Sequence, residues 1–371
     1  MLTHRKISEM LGLSQATVTN ILNQKPGLRY SEETRKRVLE LAAKLGYQPN
    51  RNWQAVRRGR SNLIGIITVG MQQEVVRYTT SQLPLLINTA GYDYMVVDLQ
   101  WHGGNVERVI QELIRARVEG VLVVFMSDSF RKEYVDTLHN AGIPMVAVHG
   151  NDQFGIPVIW SDIRSASTAL TRHLYDLGHR TVVMVAGTSV ESRPVRERIE
   201  GFQAATREHG EFFQISEADF PAFWSTLPRQ RNRSRHGIVV TLDFKKYGYN
   251  STDALYAFSS QLFCLKRLPD ALMCNNDAGA FGVFAAAQEH GIRIPRQMGL
   301  TGFDNDAFGA LPAFSLTTVH HNMDAACSKA VETLLDRISG KETLHNFTLP
   351  AELVIRRSCG AGVKRSVTAI P

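Results

Sequence analysis

The stretch LGLSQATVTNILN, Leu11–Asn23, holds the end of one helix, a glycine turn and the start of another. Working back from Gly12, Ile7, Met10 and Leu11 fall on one side of a short helix over residues 6–11. Glycine at position 12 suits the left-handed turn that ends a helix, with Leu13 packing in the turn. Ser14 follows at an N-cap position, where its hydroxyl can take an orphan backbone N–H, and residues 15–23 continue as a second helix. On that helix Val18, Ile21 and Leu22 share one face, while Gln15, Ala16, Thr19, Asn20 and Asn23 share the other. A merely solvated face would carry Glu and Lys. Small, hydroxyl and amide side chains instead suit a major groove, with amides for base edges and hydroxyls for phosphates. Ser31 is expected to cap a third helix whose inward side is Val38, Leu39, Ala42 and Leu45, ending at Gly46. Helix, glycine turn and a second helix with a polar outer face form a helix-turn-helix pattern.

Charge is segregated in the same region. Residues 1–60 hold twelve Lys/Arg against four Glu, whereas the rest of the chain holds thirty basic against thirty-one acidic side chains. The whole excess behind the net charge of +7 therefore sits beside the helix-turn-helix, as a polyanion partner requires. Cys264, Cys274, Cys327 and Cys359 are scattered without CxxC spacing, so free thiols and a reducing compartment are expected, with no metal and no cofactor. The N-terminal residues lack the apolar stretch of a signal peptide, and no run approaches the ~18 apolar residues that cross a bilayer. A cytoplasmic protein with no membrane partner is the expectation.

From Ser61 onward, apolar strands alternate with helical stretches. LIGIITV (63–69), DYMVVDL (93–99), GVLVVFM (120–126) and PMVAVHG (144–150) make one block. LGHRTVVMVAG, HGIVVTL, PDALMCNND and QMGLTGF make a second. Runs of β-branched residues separated by helices of 10–15 residues indicate buried parallel sheets. The expected fold is α/β: a small all-α domain, then a core of two doubly wound subdomains with a cleft at the carboxyl ends of their strands. The irregular, arginine-rich segment 211–236 is read as surface loop.

LGLSQATVTNILN, SEETRKRVLELAAKLGYQPN and RRGRSNLIGII, followed by DLGHRTVVMVAG, RERIEGF, PDALMCNNDAGAFG, GLTGFDN, LTTV and LPAELVIRRS, resemble the LacI/GalR family in order and approximate spacing. The resemblance covers nearly the whole chain and implies a periplasmic-binding-protein-like core. It implies the following organisation: a helix-turn-helix domain over 1–48, a hinge over 49–60, a core over 61–358 and a tail over 359–371. Within the core, 61–160 plus 322–348 would form one subdomain and 161–320 plus 349–358 the other. By the same resemblance Gln15, Ala16 and Asn20 read bases, with Ser14, Thr17, Thr19 and Asn23 alongside at the DNA. Asn20 replaces a common arginine, which leans towards adenine rather than guanine. Val56 stands where the family places a leucine wedge in the minor groove, and Arg57 would neutralise phosphate. Carried over in the same way, Asp162, Arg198, Phe244, Asn276 and Asp304 would line the ligand cleft. Asp277 and Asp304 also suit helix caps, Phe244 a core position, and Arg198 a structural ion pair. The stretch GMQQEVVRYTT departs from the polar-then-aromatic pattern usual after the first core strand, so a ligand cannot be taken from a family average.

The resemblance implies a transcriptional regulator, expected to be a repressor, acting as a homodimer on a near-palindromic DNA operator under control of a small carbohydrate-like effector. Inducer and corepressor remain open. An enzyme is not expected: no HExxH, GxSxG, P-loop or GxGxxG occurs, and His173, His179, His209, His320 and His321 have no metal-ligand spacing. A transport-type binding protein would need export and would not carry a basic helix-turn-helix.

Overall fold

The computed structural model describes residues 3–22, 30–47, 60–68, 74–99, 105–126, 130–150, 154–187, 192–227, 235–248, 250–341 and 345–362. The chain divides into two units, Met1–Asn62 and Leu63–Pro371. The first contains α1 (His4–Leu11), α2 (Gln15–Leu22) and α3 (Glu32–Lys44). Thr3 caps α1, and Gly12 closes it in the left-handed region at φ 65°. The Ser14 hydroxyl accepts from the Thr17 N–H at 3.1 Å, and the Ser31 hydroxyl accepts from the Thr34 N–H at 3.2 Å. Both start signals read from the sequence therefore operate as caps. Ile7, Val18, Ile21, Val38 and Ala42 form the centre of this small core, with Leu41 and Leu45 packed against it. Leu39 was expected inside but is 42% exposed. The spacing 38, 41, 42, 45 fits one helical stripe, and 39 falls a quarter-turn outside it.

In the second unit, β1 (Leu63–Thr68), β2 (Asp93–Asp98), β3 (Gly120–Met126), β4 (Met145–Gly150), β5 (Val158–Ser161) and β12 (Phe347–Leu349) form one sheet in the order β12-β5-β4-β3-β1-β2. All its pairings are parallel. A second parallel sheet has the order β10-β9-β6-β8-β7, from β6 (Thr181–Gly187), β7 (Gly210–Ser216), β8 (Arg235–Leu242), β9 (Ala271–Met273) and β10 (Gly299–Thr301). An antiparallel pair, β11 (Thr318–His320) with β13 (Glu352–Val354), completes the sheets.

Each sheet is covered on both faces, which is why its strands read as near-continuous apolar runs. Helices 74–89 and 323–338 bury Leu83, Ile87, Ala330 and Leu334 on one face of the first sheet. Helices 106–116 and 132–140 cover the other with Val109, Ile110, Leu113 and Leu138. A fully buried side chain of this size stabilises by about 1.5–3 kcal/mol. On the second sheet, helices 163–176 and 193–207 approach so closely at Gly201 that a Cβ there would strike the Arg164 carbonyl. Glycine in the EGF triplet is therefore a packing requirement.

Two expectations need correction here. Residues 211–227 are not loop: Gly210–Ser216 is the edge strand β7, and helix Phe220–Thr226 drives Phe220 and Trp224 into the core. Phe and Trp four residues apart lie on one helical face, a period obscured by the arginines that follow. Cys359, placed at the start of the tail, is completely buried, and its carbonyl lies 2.8 Å from His179 Nε2. That ring's Nδ1 lies 2.8 Å from the Asp270 carbonyl, so His179 of LGH ties Cys359 to the segment that leads into β9.

Candidate functional site

Two constellations carry chemistry. On α2, Gln15 and Ala16 are exposed, while Thr17, Thr19 and Asn20 are half-buried. The Thr17 hydroxyl lies 2.9 Å from the Ser14 hydroxyl, Thr19 Oγ1 lies 3.0 Å from His4 Nδ1, and Asn20 Nδ2 donates to the Tyr30 hydroxyl at 3.1 Å. His4 also bonds Tyr47 through Nε2, and burial lowers its pKa, which favours the neutral ring. Ser14, Gln15, Ala16, Thr17, Thr19 and Asn20 thus lie on or beside one short helix, several held by the domain's own hydrogen bonds. Asn23, Val56 and Arg57 lie outside the described residues.

The second constellation is a cavity of about 300 Å³ in the core. Arg198, Phe244, Asn276 and Asp304 line it, so four of the five residues proposed from sequence come together from elements far apart in the chain. Asp162 is not a lining residue. It sits at the N-cap of helix 163–176, its carboxylate accepting from the Ser165 N–H at 3.0 Å, and Ile163 reaches the cavity instead. A carboxylate directly before a helix finds orphan N–H groups within its own turn, which holds it there. Asn276 is both a cap, accepting from the Gly279 N–H at 2.8 Å, and a lining residue.

Charge inside the cavity centres on Asp304. His321 Nε2 lies 3.0 Å from its Oδ1 and an Arg198 terminal nitrogen 3.6 Å from the same atom, with all three side chains nearly buried. The Arg198 guanidinium stacks over Phe303 at 4.6 Å. Burial lowers the Arg198 pKa, an effect that Asp304 opposes. Behind Asp304, burial and then the Asp304 charge push the Asp277 carboxyl well above the usual range, although the Thr318 hydroxyl and the Asp306 N–H donate to it. Burial, then Asp304, raises Asp306 to about 7. His149 stacks on Phe125 at 5.0 Å and 7°, and complete burial holds it well below the usual histidine range, hence neutral.

Three lining residues that are not glycine, Phe125, His149 and Asp304, have positive φ of 54°, 57° and 106°. Such conformations cost roughly 1–3 kcal/mol each and persist where the surrounding structure over-determines them. Three buried polar atoms on the cavity's residues have no partner: Arg198 Nε, His321 Nδ1 and Asn275 Oδ1. The cavity is thus lined by a guanidinium, a carboxylate and two amides, with aromatic surface from Phe125 and Phe244.

The sequence reading did not single out Phe125, His149, Asn275 or His321 for this site. Phe125 and His149 lie at the carboxyl ends of β3 and β4, the position where ligands meet such sheets, and that signal was available. His321 follows β11 at a crossover and is assigned only by the tertiary contact with Asp304.

With this geometry established, comparison with known proteins becomes informative. Residues 7–50 match the bacterial regulatory proteins of the lacI family, and residues 87–222 match the periplasmic binding proteins and sugar binding domain of the LacI family. Residues 171–359 match the periplasmic binding protein-like domain. The chain belongs to the LacI family. It is a transcriptional regulator with a helix-turn-helix DNA-binding domain and a ligand-binding core. It is similar to the HTH-type transcriptional repressor PurR of Pasteurella multocida, 24% identical over 96% of this chain and 98% of that one. The lac repressor dimer bound to operator and the anti-inducer ONPF has the same fold, with a TM-score of 0.75, 21% identity and coverage of 96% and 99% of the two chains. So has the transcriptional regulator CelR in complex with cellobiose, with a TM-score of 0.61, 19% identity and coverage of 96% and 100%. These relatives are regulators and not enzymes. Among the described residues, no group of three or more His, Cys, Asp or Glu is placed to hold a metal. No described helix is long and apolar enough to cross a membrane.

Proposed function

We propose that this LacI-family regulator is a repressor that binds a near-palindromic operator as a homodimer, with operator affinity set by a sugar or sugar derivative in the core cleft. The observation that carries the ligand class is a cavity of about 300 Å³ in which Arg198, Asn275, Asn276 and Asp304 stand beside Phe125 and Phe244. Guanidinium and amide N–H groups donate, whereas carboxylate and amide oxygens accept. Vicinal hydroxyls do both, and the apolar face of a pyranose covers Phe125 or Phe244. The CelR–cellobiose complex supports a carbohydrate in this fold.

Ser14, Gln15, Ala16, Thr17, Thr19 and Asn20 form the DNA-facing set, and Asn23, Val56 and Arg57 join it by family resemblance. One helix reads too few bases for a unique genomic site, so two copies on a palindrome are required. The sugar acts through the relative placement of the two sheets, a coupling free energy that can have either sign.

The test is selection of bound duplexes from a random pool with the full-length protein at moderate salt, repeated with mixed sugars and sugar derivatives. The reading predicts an enriched palindrome whose binding is changed by the sugars. Salt-sensitive binding to every duplex alike, with no enrichment in either arm, would overturn it.

A further inference from the structure

The half-buried amide of Asn20 does not stand free on α2, because its nitrogen donates to the hydroxyl of Tyr30 at 3.1 Å. Tyr30 directly precedes the cap residue Ser31, and its ring packs against the small core formed by Ile7, Val18 and Val38. The hydroxyl is therefore held by a side chain that is itself anchored. Only Gln15 and Ala16 of the proposed base-reading residues lack such a tether among the hydrogen bonds described for α2.

We infer that Tyr30 is a specificity-determining residue: it orients the Asn20 amide as a reader of adenine and excludes guanine at one position of each operator half-site. The inference rests on α2 being the DNA-facing helix. A primary amide has two N–H hydrogens and one carbonyl oxygen. With one hydrogen committed to Tyr30, Asn20 keeps one donor and one acceptor. Adenine presents the complement in the major groove, the N7 acceptor and the N6 amino donor. Guanine presents two acceptors, O6 and N7, and needs two donors. An untethered amide could turn to offer both hydrogens; a tethered one cannot do so without breaking the bond to Tyr30. Holding the amide in advance also removes part of the rotamer entropy that binding would otherwise consume. Tyr30 touches no base in this scheme and acts through Asn20, so it is a positioning residue.

Tyr30→Phe removes the hydroxyl and keeps the ring in the core. Parent, Tyr30→Phe, Asn20→Ala and the double variant should each be taken through selection from a random duplex pool, followed by titration of operators differing only at the selected base. The parent is expected to select a palindrome with adenine fixed at one position of each half-site. Tyr30→Phe should keep the palindrome and lose about tenfold in preference for adenine over guanine there. All other positions and the salt dependence should be unchanged. In the Asn20→Ala background, Tyr30→Phe should have no further effect. Undiminished adenine preference in Tyr30→Phe overturns the inference, and so does an equal effect with and without Asn20, which marks a purely structural role. A parent that enriches no palindrome overturns the DNA-facing assignment itself, and the inference with it.

Discussion

The α2 surface and the core cleft are the two candidate binding sites, and they are built in opposite ways. The α2 residues lie within one turn or two of each other, and their hydrogen bonds run to residues of the same small domain. The cleft draws Phe125 and His149 from the first sheet, Arg198 from helix 193–207, Phe244, Asn275 and Asp304 from the segments after β8, β9 and β10, and His321 from the segment after β11. The α2 side chains bond to separate partners, whereas Arg198 and His321 in the cleft share a single carboxylate, Asp304. A substitution in the first region should remove one contact; a substitution in the second should disturb a network.

The sharpest way to break this contrast is Asp304→Ala. It leaves the Arg198 guanidinium buried without its counter-charge, a loss of order 3–5 kcal/mol. We expect destabilisation of the core and loss of the sugar response, with operator binding retained at low temperature. Calorimetric unfolding and operator titration with and without mixed sugars would measure it, and a normal sugar response would displace Asp304 from the site.

A smaller effect should follow from Asp306→Asn. The folded carboxyl titrates near 7, above its ordinary value of 3.8, because it is buried beside Asp304. Its protonated form is the one the fold favours, so its contribution is intact below pH ~4 and declines as pH rises towards ~7. The variant should match the parent near pH 4 and exceed it at pH 8, by a few kcal/mol at most. A parallel pair of stability curves across that window would contradict the buried-carboxyl account.

In the helical domain, Val38→Ala should cost about 1–3 kcal/mol and Leu39→Ala no more than about 0.5, since Val38 is fully buried and Leu39 is exposed. Amide exchange in α3 of the full-length chain reads both, and equal costs would restore Leu39 to the core. A local effect is expected of Ser31→Ala, which removes the cap accepting from Thr34 and should raise exchange at the start of α3 by the equivalent of about 1 kcal/mol.

What was legible in the sequence follows the same division. Gly12, Ser14 and Ser31 gave the helix boundaries because caps and glycine turns are satisfied by atoms only a few residues away. The parallel sheets were legible because strands covered on both faces must be apolar throughout. Leu39 and the 211–227 segment were misread where a single periodic position, or a run of arginines, masked which face the neighbouring elements would cover.

The sequence by itself determined the helix-turn-helix pattern, the two blocks of buried strands, the segregation of positive charge and the family, all properties carried by local spacing and composition. Tertiary structure alone decided that Asp162 serves a helix while Asp304 serves the cleft, that His321 faces Asp304, and that Tyr30 holds Asn20. The physical reason is that a polar side chain takes whichever partner the fold brings within about 3 Å. For Asp162 that partner is three residues away, and for His321 it lies across a crossover between two sheets.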